Sequence, residues 1–170
     1  MLDFTFTNTP GGRNQDAISE RLVQPRLWIP QGDYPAHLDW REKAIAQIAE
    51  EKKRAMIAFW GSDAVGSVVY QQDPKDPSTV EIRNLSVEPY ARGRHVASFL
   101  LNQTEHEAAV EFPDATRIVT DTKQTNAGLI AFALHNGYKI KIVTTLDESA
   151  FAHNGVQDVV LTKSLSSLRS

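Results

Sequence analysis

The segment from residue 85 to residue 98 has the composition of an anion-binding turn. Its sequence, LSVEPYARGRHVAS, places a strand end, a short turn with Gly93 and a helix start in direct succession. The first N–H groups of a helix have no intrahelical acceptor, so they can bind a pyrophosphate. Arg92 and Arg94 add positive charge at the helix end where the dipole favours acidic side chains. The sequence predicts an anion site here, with a solvated basic turn as the alternative.

Several other kinds of chemistry are excluded by composition. Cysteine is absent, which rules out disulfides, thiolate metal ligands and a cysteine nucleophile. The five histidines have no metal-ligand spacing, so we predict no metal. A net charge of −3 lacks the broad basic footprint of a nucleic-acid binder, so we predict no nucleic-acid partner.

Length and composition indicate one globular domain spanning residues 1–170. The chain is 41% apolar and 23% charged, which is typical of a folded domain of this size. The first residues lack the basic and apolar regions of a signal peptide. No apolar run approaches the roughly 18 residues that cross a bilayer. We therefore expect a cytoplasmic protein without a membrane partner.

Periodicity predicts an α+β domain built on a mixed (α/β) sheet. Residues 1–35 are predicted to be irregular, apart from a short strand around Phe4 and Phe6. Helical spacing of apolar residues predicts helices over 38–53, from the turn after Pro89 to about 110, and over about 125–136. Strands are predicted at 55–60, 65–70, 79–87, 118–121, 138–146 and 156–162. The hairpin and the closing strands favour antiparallel pairing, and two strand–helix–strand units favour parallel pairing.

The predicted strand before the anion-binding turn changes face partway. Val80 and Ile82 alternate on one parity, whereas Leu85 and Val87 lie on the other. A slip of one residue without loss of apolar content is typical of a β-bulge, here near residues 83–84. A strand with two half-buried faces is the alternative.

Two motifs make the sequence resemble the GNAT superfamily of acetyl-CoA-dependent N-acetyltransferases. The family strand often ends in Val-x-Pro and leads to Arg/Gln-x-x-Gly-x-Gly/Ala. Residues 87–89 and 92–97 match this pattern, except that His95 replaces a glycine. A later pattern, Asn-x5-apolar-x4-Gly-aromatic, is matched at Asn126, Phe132, Gly137 and Tyr138. The predicted element order agrees with the family fold from about residue 38 to residue 163.

The resemblance implies a GNAT-like fold whose bulged strand splays from its neighbour, with the pantetheine arm of acetyl-CoA in the gap. The backbone around residues 85–87 would pair with that arm, amides of residues 93–98 would hold the pyrophosphate, and Asn126 would lie near the thioester. The implied cofactor-binding residues are Leu85, Ser86, Val87, Arg92, Gly93, Arg94, His95, Val96, Ala97, Ser98 and Asn126.

Glu81 is the catalytic candidate that the resemblance implies. Several family members use a glutamate at this place in the strand as a general base that acts through a water. An amine is protonated at neutral pH, and a nearby carboxylate can organise the loss of that proton. The alternative is a solvent-facing or salt-bridged strand residue, with Arg83 as the partner of Glu81.

Two positions depart from the family pattern. Glycine at position 95 lets the backbone approach phosphate closely, and we expect His95 to be tolerated if its φ is negative, with some loss of affinity. Ala133 stands where many members carry a tyrosine that protonates the leaving thiolate. A thiol pKa of about 8.5 lets water supply that proton.

The predicted function is transfer of an acetyl group from acetyl-CoA to a primary amine by direct attack in a ternary complex. The alternative is a catalytically weak or inactive GNAT-fold module that binds acyl-CoA and regulates a partner, which His95 and Ala133 favour. The acceptor is a small molecule or a peptide, recognised by residues 1–40 and the loop at 147–155. A homodimer is expected from family habit.

Overall fold

The computed structural model describes residues 3–23, 37–144 and 158–168. Its strands are β1 (Phe4–Asn8), β2 (Arg54–Trp60), β3 (Asp63–Gln72), β4 (Thr79–Val87), β5 (Arg117–Lys123), β6 (Lys139–Thr144) and β7 (Asp158–Ser164). Its helices are α1 (Gln15–Val23), α2 (His37–Ala49), α3 (Val96–Glu111) and α4 (Ala127–His135). The strands within these ranges form one mixed sheet, as predicted.

The sheet has the order β1-β2-β3-β4-β5-β7-β6. Strands β4 and β5 are parallel, and every other described pair is antiparallel. The predicted parallel pairing across α4 is wrong, because β7 lies between β5 and β6. Strand β7 pairs with β5 along all of Arg117–Lys123, which leaves β6 at the edge of the sheet.

Apolar cores cover both faces of the sheet. On one face, α1 and α2 pack their buried residues against β2 and β3; this core contains Ile18, Leu22, Ala44, Ile48, Ala55, Ile57 and Val69. On the other face, α3 packs against β2, β3 and β4, in a core where Leu100 and Ile118 are fully buried. Alternation along the strands therefore sends successive side chains to the two helical layers.

Helix α1 corrects the prediction that residues 1–35 are irregular. Ile18 and Leu22 lie one turn apart and are buried, so this helix is held by tertiary packing on the sheet. Its nine residues offer a short apolar stripe, and Arg21 interrupts that stripe with a charge. Those two features hide the helical period in the sequence.

The other predicted elements are confirmed to within a few residues, although α2 ends at Ala49 rather than near residue 53. The predicted loop at 147–155 lies outside the described residues. Among the helices of the described ranges, none combines the length and apolar content needed to cross a membrane.

Candidate active site

Strands β4 and β5 separate soon after they meet. Their parallel pairing covers three positions, with Thr79 opposite Arg117 and Glu81 opposite Val119 at the two ends. Beyond that point both strands continue, and β5 keeps its pairing with β7 up to Lys123. The facing backbone edges of β4 and β5 therefore border a gap that opens toward their carboxyl ends.

A β-bulge reorients β4 at the start of this gap. The register with β3 shifts by one residue between Ser67 and Val69. Asn84 has a φ of +57°, in the left-handed region where asparagine is tolerated better than most residues. Ile82 and Leu85 consequently pack on the same core although they are three positions apart. The bulge predicted from the slipped alternation is confirmed.

Helix α3 follows β4 after the turn over residues 88–95, and its start has no side-chain cap. The first backbone bond of this helix runs from the N–H of Phe99 to the carbonyl of His95, at 3.0 Å, so the preceding amides have no intrahelical acceptor. The start of α4 differs, because the Asn126 side chain accepts a bond from the N–H of Leu129 at 3.2 Å. Of these two helix ends, the start of α3 is therefore suited to an anion.

His95 adopts a conformation that glycine favours. Its φ is +62° and that of Gly93 is +75°. The expectation that a side chain is tolerated here through a negative φ is wrong, because the turn keeps the left-handed path. Left-handed backbone costs a non-glycine residue about 1–2 kcal/mol, and histidine is among the residues enriched there. The turn thus keeps the left-handed backbone path that glycine favours, and His95 carries the resulting strain.

Both arginines of the turn have fixed positions. Arg92 Nε donates to the carbonyl of Val87 at 3.1 Å, which braces the end of β4. The Val87 oxygen keeps a second lone pair for another donor. The Arg94 guanidinium lies 5.0 Å from the centroid of the Trp60 ring, a cation–π distance. Both side chains are exposed, so positive charge borders the start of α3.

Glu81 projects from β4 on the face that carries α2. Its carboxylate accepts a hydrogen bond from Gln71 Nε2 at 2.9 Å. Burial lowers the pKa of the nearby Lys53, Arg83 lowers it further, and Glu81 opposes the shift. The alternative salt bridge between Glu81 and Arg83 is not formed. Arg83 instead pairs with Asp121 at 3.3 Å. The candidate base is therefore held by an amide rather than by a guanidinium.

A second ion pair lies where β5 and β7 meet. Lys123 Nζ is 3.0 Å from the Asp158 carboxylate, and both side chains are buried. Burial raises the pKa of Asp158, although Lys123 counteracts that shift. The carboxyl end of β5 is thus bordered by paired charges on β5 and β7.

Thr122 carries a buried polar atom beside the unpaired part of β5. This residue is buried and lies on β5 beyond its last pair with β4. Its Oγ1 has no hydrogen-bond partner in the structure, whereas buried polar groups are normally paired. Thr122 therefore leaves one unpaired buried polar atom on the part of β5 that has no pairing with β4. Among the described residues, no cluster of acidic and histidine side chains is placed to hold a metal ion.

The sequence model of the acetyltransferase (GNAT) family matches residues 18–138, more than half of the chain. The chain belongs to the GNAT acetyltransferase family. Membership in this family makes the protein an acyltransferase and confirms the resemblance that the two sequence motifs indicated. No curated protein sequence matches the chain significantly.

Solved structures share this GNAT fold. A protein described as a GNAT-family acetyltransferase from Desulfovibrio desulfuricans aligns with a TM-score of 0.75 at 13% identity, over 96% of this chain and 100% of its own. An aminoglycoside 6'-N-acetyltransferase complexed with coenzyme A aligns at 0.68 and 17% identity, over 95% and 97%. An Elizabethkingia anophelis GNAT acetyltransferase with acetyl-CoA bound aligns at 0.64 and 16% identity, over 95% and 97%.

Helix α4 of this GNAT protein ends in a tightly bonded turn. Gly137 has a φ of +88°, and the N–H of Tyr138 donates to the carbonyl of Ala133 at 3.0 Å, as in a Schellman motif. Ala133 is buried, so this position packs in the core and supplies no acid. The Tyr138 hydroxyl donates to Glu105 at 3.1 Å, and burial raises its pKa. Tyr138 is therefore a core residue.

The sequence analysis missed Arg21. This arginine is buried on α1 and lines a cleft of about 380 Å³ with Glu20, Asp63, Glu88 and Tyr90. Arg21 lies on the same helical face as Ile18 and Leu22, but the sequence hides the period of this short helix. A charge on a buried stripe requires partners elsewhere in the fold.

Proposed function

We propose that this GNAT protein transfers an acetyl group from acetyl-CoA to a primary amine, by direct attack within a ternary complex. The observation that carries the proposal is the gap between β4 and β5. On its β4 side, the turn over residues 88–95 connects the strand to the uncapped start of α3. An extended arm with amide groups fits the first part, and a pyrophosphate fits the second. Acetyl-CoA carries both groups.

The predicted cofactor-binding residues keep their roles in this proposal. The backbone of Leu85, Ser86 and Val87 would pair with the pantetheine arm as a strand edge does. The amides from Gly93 to Ser98 would hold the pyrophosphate, with Arg92, Arg94 and His95 beside it. Asn126 begins α4 and would lie near the thioester.

Two of the similar structures support acetyl-CoA as the donor. The aminoglycoside 6'-N-acetyltransferase is complexed with coenzyme A, and the Elizabethkingia anophelis protein has acetyl-CoA bound. The acceptor class rests on family membership and on the carboxylates of Glu81 and Asp121 near the gap. We propose a small-molecule or peptide amine.

Glu81 would organise the proton transfer. Its carboxylate would accept, through a water, the proton that the acceptor ammonium must lose before its nitrogen can attack the acetyl carbonyl. The carbon–sulfur bond then breaks, and the thiolate takes a proton from water, because Ala133 supplies no acid. A thiol pKa of about 8.5 makes this last transfer feasible without a dedicated donor.

The second candidate is a GNAT-fold module that binds acyl-CoA without turnover. The strained conformation of His95 and the alanine at position 133 favour it. Four further expectations stay predictions: the single-domain extent over residues 1–170, the cytoplasmic location, the homodimer and the absence of nucleic-acid partners.

Calorimetric titration of acetyl-CoA into the purified protein tests the proposal. We expect micromolar binding that weakens strongly when adenosine replaces the complete cosubstrate. An amine panel of polyamines, aminoglycosides, amino-acid amides and peptides, read by thiol release, then separates the two candidates. Turnover with any amine supports the enzyme. Binding without turnover across the panel favours the regulatory module, and absence of binding overturns both.

A further inference from the structure

Arg21 joins α1 to the start of β3 and the end of β4. Its Nε donates to the hydroxyl of Ser67 at 2.9 Å. One terminal nitrogen donates to the carbonyl of Ala64 and to the carboxylate of Glu88, both at 3.0 Å. The other donates to the hydroxyl of Ser86 at 2.8 Å. A single buried side chain thereby contacts four residues on the central strands and just beyond them.

Attaching a helix through a buried guanidinium costs desolvation free energy, because a charge is removed from water. Ile18 and Leu22 pack α1 on the same face without removing a charge from water. Replacement of a buried ion pair by apolar side chains is often neutral or stabilising. Arg21 instead fixes relative positions, because the N–H groups of its planar guanidinium require each acceptor to lie in a set direction. Its contacts therefore specify position more than stability.

The end of β4 is the part of the sheet that needs such support. Beyond Glu81 this strand has no pairing with β5, so its backbone is held by β3 on one side alone. Ser86 lies in this stretch, and Glu88 follows it directly. Arg21 supports both residues from the α1 face, leaving the edge toward the gap open.

The same contacts bear on the turn before α3. The N–H of Glu88 donates to the carbonyl of Val65 at 2.7 Å, and a 3-10 turn over Pro89–Ala91 begins at once. That turn leads through Arg92, itself bonded to Val87, to the start of α3. A displaced Glu88 would shift this whole connection.

We propose that Arg21 is a positioning residue for the acetyl-CoA site. It holds the wall of the gap formed by residues 85–87 and the entrance to the anion-binding turn, without touching the cosubstrate itself. The inference rests on the proposed function, since it concerns the site that this function requires.

Arg21→Met tests the inference against a matched control, Arg54→Met. Arg54 is a partly buried arginine whose ion pair with Glu111 at 3.2 Å lies at the other end of α3. Calorimetry with coenzyme A is carried out on both variants after circular dichroism confirms that they are folded. We expect Arg21→Met to weaken binding at least about tenfold, and Arg54→Met to stay within about twofold of the wild type.

Hydrogen exchange supplies a readout that simple anchoring of α1 would not change. In the ligand-free protein, Arg21→Met should accelerate amide exchange at residues 84–88, whereas Arg54→Met should not. Arg21→Lys, which keeps the charge and loses the fork, should bind coenzyme A with intermediate affinity. Glu88→Gln tests the same contact if Arg21→Met fails to fold.

The outcomes separate this inference from the proposed function. A folded Arg21→Met, or Glu88→Gln in its place, that binds coenzyme A as tightly as the wild type overturns the positioning role. A wild-type protein that does not bind coenzyme A overturns the proposed function, and the inference with it. Faster exchange confined to α1 assigns Arg21 to helix anchoring and also overturns the inference.

Discussion

Arg83 on β4 lies 3.3 Å from the carboxylate of Asp121 on β5, two residues beyond the last backbone pair of these strands. The ion pair thus spans the gap where the sheet first opens. Both side chains are more than one-third exposed, at 38% and 37%. Solvent screening therefore leaves the pair a weak contribution to stability. The ion pair lies on the same face of the sheet as Glu81, so we expect it to influence binding of the proposed amine acceptor.

Asp121→Asn should affect acceptor binding more than stability. We expect the free energy of unfolding to change by about 1 kcal/mol or less, because the pair is exposed. The KM for an amine substrate should rise more than kcat falls, since a carboxylate close to the proposed site of Glu81 is lost. Steady-state kinetics with an amine identified in the panel, together with denaturant unfolding, measures both. An unchanged KM would remove Asp121 from the acceptor site.

Glu81→Gln should lower turnover at least about tenfold, because the amide cannot organise proton loss from the acceptor. Affinity for acetyl-CoA should change little, since Glu81 belongs to the paired part of β4. Single-turnover rates and calorimetry measure the two effects. Gln71→Ala is the matched control, because it removes the neighbour that donates to Glu81 at 2.9 Å and leaves the carboxylate in place. A Glu81→Gln variant with an unchanged rate excludes this residue from the mechanism.

His95→Gly should tighten binding of coenzyme A several-fold and raise the free energy of unfolding by at most about 1 kcal/mol. Relief of the left-handed strain is partly offset by the greater freedom of glycine in the unfolded chain. His95→Ala separates the two causes, because it removes the imidazole and keeps the Cβ at the same φ. Equal affinities for the glycine and alanine variants would show that the imidazole, and not the backbone, sets the affinity.

Asp76 should make the stability of the folded protein depend on pH in the acid range. Hydrogen bonds from Ser78 and Thr79, at 2.6 and 2.7 Å, lower the pKa of Asp76 to about 2. A carboxyl group whose pKa is lower in the folded state stabilises the protein above its unfolded pKa of 3.8, and this contribution is lost as the pH falls toward 2. Asp76→Asn should therefore lower the Tm at pH 7, and the difference should shrink between pH 4 and pH 2.

Thermal unfolding followed by circular dichroism across this pH range tests the expectation. Asp73→Asn serves as the control, because Asp73 lies in the same loop and accepts from the N–H of Lys75 at 2.8 Å. A difference between Asp76→Asn and the wild type that stays constant from pH 7 to pH 2 would contradict the assignment.

The parts of the site that depend on local pattern were predictable from the sequence. The bulge in β4 left a visible slip between Ile82 and Leu85, and the turn before α3 is marked by its arginines and Gly93. These features belong to continuous segments, whose spacing reports directly on backbone path. The left-handed φ of His95 was not predictable, because histidine itself does not require it.

Features that join distant segments were not predictable. The pairing of Arg83 with Asp121 depends on the register of two parallel strands linked through α3, and the sequence carries no signal for that register. Arg21 meets Ser86 and Glu88 through packing of a short helix whose period was hidden. The insertion of β7 beside β5 is likewise a choice between competing strand pairings, settled by the whole sheet.

The three-residue contact between β4 and β5 divides the sheet into two parts that share little backbone pairing. Strands β1–β4 form one blade and β5–β7 the other, joined at the base by Thr79–Glu81 and along one face by α3. An extended ligand in the gap would act as a missing eighth strand, bonding to both blades at once. Filling the gap would then give the sheet backbone hydrogen bonds that its ligand-free form lacks.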